Sequence, residues 1–127
     1  MKTHQRSEES SIRAARRSAV LRAIESHSAD PSLRVGAIAA LLGITPRYVH
    51  LLLEETGRSF TQHLLQARLR KAHAMLCDPR WHDRRIGDVA HESGFTDLSY
   101  FSRAVRREYG ATPTAVRERA KHHQGSQ

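Results

Sequence analysis

The chain has 127 residues, a length for one domain or two very small ones, and its core must be economical because so short a chain buries a limited fraction of its surface. Lys and Arg number 21 against 13 acidic residues, and the net charge of +8 predicts attraction to a polyanion, either nucleic acid or an anionic membrane surface. Cys77 is the only cysteine and no apolar run approaches the roughly 20 residues that span a bilayer, which excludes an intrachain disulfide, a cysteine-based zinc site and a membrane-spanning helix.

Residues 1–11 are polar and of low complexity, and are expected to form a flexible tail. They hold no hydrophobic segment that would serve as a signal peptide, so the expected location is cytoplasmic. From Ile12 the spacing changes. Ile12, Ala15, Ala19, Leu21, Arg22 and Ile24 predict a helix to about His27, basic on one side through Arg13, Arg16, Arg17 and Arg22. Residues 28–32, with Asp30 and Pro31, break it. After a first unit in residues 34–58, Ser59 opens a helix that runs to about Cys77, with Leu64, Leu65, Arg68, Leu69, Ala72, Met75 and Leu76 as its buried stripe and Asp78-Pro79 as its stop. About 18 residues at 1.5 Å each make a rod of roughly 27 Å.

Residues 86–117 state a short helix, a glycine turn, a second helix with a polar outward face and a third helix opened by proline, the order of parts in a helix-turn-helix reader of DNA. Val89 and Ala90 face inward, the alanine small enough to let the next helix cross closely. Gly94 ends the first helix where a left-handed backbone is wanted. Phe95 plugs the corner, and Thr96 or Asp97 supplies the oxygen that caps the next helix. Along that helix Phe101, Ala104 and Val105 face inward, while Leu98, Ser99, Ser102, Arg103, Arg106 and Arg107 remain outward. Taken alone, this stretch also fits an ordinary amphipathic helix with a solvated face.

The chain then proves to repeat itself. Val35, Gly36, Ile38, Ala39, Gly43 and Thr45 stand 51 positions before Ile86, Gly87, Val89, Ala90, Gly94 and Thr96. After the turn the offset is 52, pairing Tyr48 with Tyr100 and Val49 with Phe101, and it reaches 53 where Gly57 meets Gly110. The matches fall on the positions each structural role dictates, so chance is a poor explanation and two helix-turn-helix units are expected in one polypeptide. Separated by the rod, their readers would sit near the roughly 34 Å between successive major-groove faces of B-DNA.

The strings GFTDLSYFSR and REYGATPTAVR, with PRYVHLLLEETGRSF and ARLRKAHAMLCDPRW upstream, resemble the DNA-binding domain of the AraC/XylS family of bacterial transcription regulators over residues 14–119. The resemblance implies an all-α fold of seven helices, two helix-turn-helix subdomains joined by a long linker helix. Here that gives residues 12–78 for the first subdomain with its linker and 79–120 for the second, between flexible tails at 1–11 and 121–127. It implies a regulator that binds double-stranded promoter DNA in adjacent major grooves without a cofactor. RNA polymerase is implied as a further partner, and because this region usually follows a sensing and dimerisation domain in the family, the chain is expected to be either a domain from a longer parent protein or one of the small single-domain members.

Position by position, the resemblance puts the first recognition helix at residues 46–56, with Arg47, His50 and Leu51 meeting bases or backbone. It puts the second at 97–109, with Leu98, Ser99, Ser102 and Arg103 in the same role. Arginine facing the groove can donate two bonds to guanine, worth roughly 1 to 3 kcal/mol of discrimination, and Arg103 is the leading candidate. A phosphate contact or an ion pair with Glu108 is the plainer alternative, as simple exposure is for His50. Leu51 stands where many members have arginine, which suggests readout of a thymine methyl. Val105 and Val116 replace common aromatics and imply a smaller core.

Arg34 and Arg85, again 51 positions apart, precede the first helix of each unit, where Ser or Thr would be the safe cap and a cation opposes the helix dipole. The expectation is that each helps hold a DNA phosphate, the alternative being a tolerated exposed arginine with Ser32 capping. Arg58, Arg84 and Thr96 are further phosphate candidates by position. An enzyme is not expected: the histidines are scattered, no nucleophile motif occurs, and His122 with His123 read as solvated tail residues. The rival reading is a basic helical module for protein interaction or a membrane surface.

Overall fold

The computed structural model describes residues 2–125, with side chains described for residues 6–123. Among the described residues there are seven α-helices, one short 3-10 turn and no strand. The helices are α1 (Lys2–His27), α2 (Val35–Leu42), α3 (Pro46–Glu54), α4 (Phe60–Leu76), α5 (Ile86–Glu92), α6 (Leu98–Tyr109) and α7 (Pro113–Gly125), with the 3-10 turn at Pro79–Trp81. They divide into two compact units. The first takes in the chain up to His27 and Ser32–Leu65, the second Ser28–Pro31 and the chain from Gln66 onward. Among the described residues no single helix is long and apolar enough to cross a membrane.

In the first unit, Val20, Ala23 and Ile24 of α1 are buried with Ile38 and Ala39 of α2 and Val49, Leu52 and Leu53 of α3. Helices α2 and α3 turn through 100° between them, the bend of a helix-turn-helix corner. Pro46 takes the first helical position of α3, where its missing N–H costs nothing, and Thr45 Oγ1 accepts the amide of Tyr48 at 3.1 Å. Helix α4 opens with a reciprocal box: Gln62 N donates to Ser59 Oγ at 3.2 Å and Ser59 N donates to Gln62 Oε1 at 2.7 Å.

In the second unit the core is Leu69, Ala72, Met75 and Leu76 of α4, Val89 and Ala90 of α5, Phe95, and Phe101 and Val105 of α6. Phe95 and Phe101 meet edge to face with centroids 4.9 Å apart, so the expected plug of the corner is also an aromatic pair. Asp97 caps α6, its Oδ1 accepting from Tyr100 N at 3.0 Å. Val105 and Val116 are both buried, so the small residues at those places do line the interior.

The expected tails need correction. Residues 2–11 are not an irregular tail but the first turns of α1, and 121–125 belong to α7; residues 1, 126 and 127 lie outside the described residues. Extending a helix from a packed segment costs far less than nucleating one, and nothing in residues 2–11 breaks it. The buried residues of α1 are Val20, Ala23 and Ile24 towards its C-terminal end, while Ile12 is 50% exposed and Ala15 is exposed. By packing, the first unit ends at Leu65 and the second resumes at Gln66, both within α4. Buried residues sit along the whole length of α4, from Phe60 and Leu64 to Met75 and Leu76, so each unit takes its share of one continuous helix.

Candidate nucleic-acid interface

Backbone bonds at the two corners recur with the repeat read in the sequence. Ile44 N donates to Ala39 O at 3.0 Å and Phe95 N to Ala90 O at 2.9 Å, the same helix-ending bond 51 residues later. Val49 N to Thr45 O and Phe101 N to Asp97 O, at 3.1 and 3.0 Å, repeat at an offset of 52. The offset changes because the second corner holds one extra residue, exposed Thr96, so the functional counterpart of capping Thr45 is Asp97.

With its inner residues fixed in the core, α3 turns Arg47, His50, Leu51 and Glu54 outward, all exposed. Leu51 keeps 47% of its surface open, an apolar group that no protein contact requires there. His50 and Arg58 line one cleft of about 490 Å³ with Glu54, Gly57 and Ser59, so these two candidates share a surface. The turn beneath is tied down by Thr56, whose hydroxyl donates to Leu53 O at 2.6 Å while its oxygen accepts from Arg58 N at 3.2 Å.

Helix α6 exposes Leu98, Ser99 and Arg103, with Ser102 half-buried beside them. Leu98 is 51% exposed. Glu108 accepts from Gln66 Nε2 at 3.3 Å, which gives it a partner other than Arg103. Helix α6 thus carries two hydroxyls, a leucine and an arginine on one face, a set suited to reading base edges and methyl groups.

The remaining cations lie at helix starts and turns. Arg34 stands at the N-cap of α2 with no side-chain cap bond, as a guanidinium can only donate. Arg85 occupies the same place before α5, but there the Asp88 carboxylate accepts its amide at 3.2 Å and so supplies the anion the helix start favours. Arg34, Arg58, Arg84 and Arg85 are all exposed.

Other charges that the sequence marked as basic surface are committed to packing. Arg17 pairs with Glu55 and donates from Nε to Leu52 O at 3.1 Å, at the C-terminal end of α3 where a cation is favoured. Arg13 lies 3.9 Å from Glu55, and Arg16 stands over the Tyr48 ring at 5.5 Å and donates to its hydroxyl at 3.3 Å. These three hold α1 to the far side of α3. Two further groupings escaped the sequence reading. Arg68 donates to Ser28 O and Asp30 O, both at 2.8 Å, and Arg84 lies 4.7 Å over the Trp81 ring. The second left a signal, a tryptophan followed three residues later by an arginine. Burial also pushes the Cys77 thiol above its ordinary value, which keeps it protonated at neutral pH.

Comparison with known proteins agrees with this geometry. A family model described as a helix-turn-helix domain matches residues 38–119. The chain is 35% identical over 99 residues to the transcriptional activator NphR of a Rhodococcus species, covering 78% of this chain and 29% of that protein. Among solved structures, it resembles a DNA-binding transcriptional dual regulator from Escherichia coli K-12 with a TM-score of 0.73 and 30% identity, over 81% of this chain and 95% of that one. A probable AraC family transcriptional regulator from Rhodopseudomonas palustris aligns with a TM-score of 0.68 and 26% identity, over 80% of this chain and 93% of the other. The chain spans under a third of the length of the curated relatives it matches, 29% and 31% for the first two.

Proposed function

Since the chain belongs to the AraC-type helix-turn-helix family of DNA-binding transcription regulators, not enzymes, we propose that it binds double-stranded promoter DNA sequence-specifically, with α3 and α6 in successive major grooves. The observation that carries the reading is the duplicated corner, in which a side-chain oxygen accepts from Tyr48 N in one unit and Tyr100 N in the other, with an exposed polar face on each second helix. Arg47, His50 and Leu51 of α3 and Leu98, Ser99, Ser102 and Arg103 of α6 meet base edges. Arg34, Arg58, Arg84, Arg85 and Thr96 meet phosphates, which fix register without reading sequence. Arg103 supplies the paired donors for a guanine, and Leu51 and Leu98 supply apolar contact for thymine methyls. The domain works within a longer regulator that carries a sensing and dimerising part, and RNA polymerase is the partner through which it acts on transcription.

Selection of bound duplexes from a random pool tests the reading. The expected product is two short boxes about 10 bp apart, one per reader. Arg103→Ala relaxes one position of one box, at about 1 to 3 kcal/mol. A selected pool with no common sequence, or with a single box, sinks the two-reader proposal. Liposome sedimentation in the same buffers separates it from a membrane-surface role.

A further inference from the structure

Trp81 closes the 3-10 turn Pro79–Trp81, its amide donating to Asp78 O at 2.9 Å and its carbonyl accepting from Arg84 N at 3.1 Å. That turn folds Arg84 back so that its guanidinium carbon lies 4.7 Å from the centroid of the Trp81 ring. The backbone of Arg84 is gripped as well, its carbonyl accepting from Arg117 Nη1 on α7 at 2.6 Å. Its Nε stands 3.7 Å from Asp88 Oδ2 on the first turn of α5, and its side chain is still 51% exposed. Arg80, the neighbouring cation, is taken up by Asp78, with Nη2 to Oδ2 at 2.8 Å. The Arg84 guanidinium therefore has the Trp81 ring on one side and Asp88 on another, its backbone is tied to α7, and half of its side chain stays open to solvent.

We propose that Trp81 is a positioning residue whose indole face holds the Arg84 guanidinium in place as an anchor for one phosphate of the DNA backbone. The proposal rests on the DNA-binding function given above. A long side chain gives up rotamer freedom when it grips a ligand, and a stacked arginine has given it up beforehand. Indole is the strongest of the aromatic faces for a cation. Because Asp88 meets the guanidinium at Nε, the paired Nη groups form the edge that a phosphate takes in a fork.

The test is affinity for a mixed-sequence duplex as a function of salt. Arg84→Gln is expected to flatten the slope of log affinity against log salt by about 0.9, the value of one phosphate. Trp81→Leu is expected to weaken binding about 2- to 5-fold, the worth of a solvent-exposed cation–π contact, with Trp81→Phe recovering most of it. In the Arg84→Gln background, Trp81→Leu should cost nothing more, since the shelf has nothing left to hold. An equal cost in both backgrounds, or none in either, overturns the proposal. If Trp81→Leu does not melt cooperatively, Arg84→Lys takes its place: it keeps the charge and loses the planar guanidinium, so wild-type affinity from it is the contrary result. Wild-type protein that fails to bind, or binds with no salt dependence, overturns the DNA-binding function itself, whereas steep wild-type binding with inert Trp81 variants overturns only the shelf.

Discussion

Gly94 sits at φ +103°, a backbone region that side chains rarely adopt, and it also lies against another segment. A Cβ there would fall on the Ser28 carbonyl oxygen, 2.8 Å from Arg68 Nε and 3.3 Å from the Ala29 carbonyl carbon. It would enter the bond that Arg68 donates to Ser28 O at 2.8 Å, and Arg68 is costly to disturb because burial already pulls its pKa down while Asp30 and Tyr100 offset the loss. Gly110 is left-handed too, at φ +74°, but nothing lies within 4 Å of where its Cβ would be. Gly94→Ala should therefore cost about 3 kcal/mol or more, backbone strain plus a broken charged hydrogen bond. Gly110→Ala should cost about 1 to 2 kcal/mol, strain alone. Urea unfolding of the two variants decides it; equal midpoints would mean the Ser28–Arg68 contact contributes nothing.

At the level of elements, the two corners differ by one inserted residue, and the insertion decides which side chain caps. Asp97 accepts the Tyr100 amide at 3.0 Å while Thr96 is exposed, although Thr96 is the residue that aligns with capping Thr45 by simple count. Asp97→Ala should destabilise the protein by about 1 kcal/mol. Thr96→Ala should change stability by less than about 0.5 kcal/mol, as surface substitutions do. Thermal melts of the pair separate the roles, and a larger loss from Thr96→Ala would contradict the assignment. Caps, glycines and most inward residues of α4 and α6 were legible in the sequence because each is dictated within three or four residues of itself, although Ala67 is buried where no inward residue was expected and Leu65, Arg68 and Ala104 are only half-buried. The start of α1 was not, since helix extension depends on a packed segment some ten residues away. Nor was the job of Arg13, Arg16 and Arg17, which in sequence are a basic face and in the fold are partners of Glu55 and Tyr48. The Arg68 contacts cross about 40 residues, beyond any local pattern.

For the molecule as a whole, the consequence of two readers on one chain lies in α4. The helix has 17 residues, about 26 Å at 1.5 Å per residue, and passes from one unit to the other without a break between Leu65 and Gln66. The stiff-spacer reading proposed for this chain requires α4 to set the spacing of the two boxes, since one end of a helix turns against the other only by breaking backbone bonds. A flexible joint transmits only tethering, which raises the local concentration of the second reader but tolerates many separations. Two glycines inserted between Leu65 and Gln66 should convert the first case to the second. The wild type is expected to lose at least about 10-fold in affinity when its two boxes are moved apart by half a helical turn, about 5 bp, since the second reader then faces away from its groove. The insertion variant should bind the correctly spaced duplex more weakly and distinguish the two spacings by less than about 3-fold. Circular dichroism should show a loss of helix confined to the few residues around the insertion for the comparison to hold. A variant that keeps the wild-type preference would place the spacing information outside α4, and the stiff-spacer account of this chain would have to be abandoned.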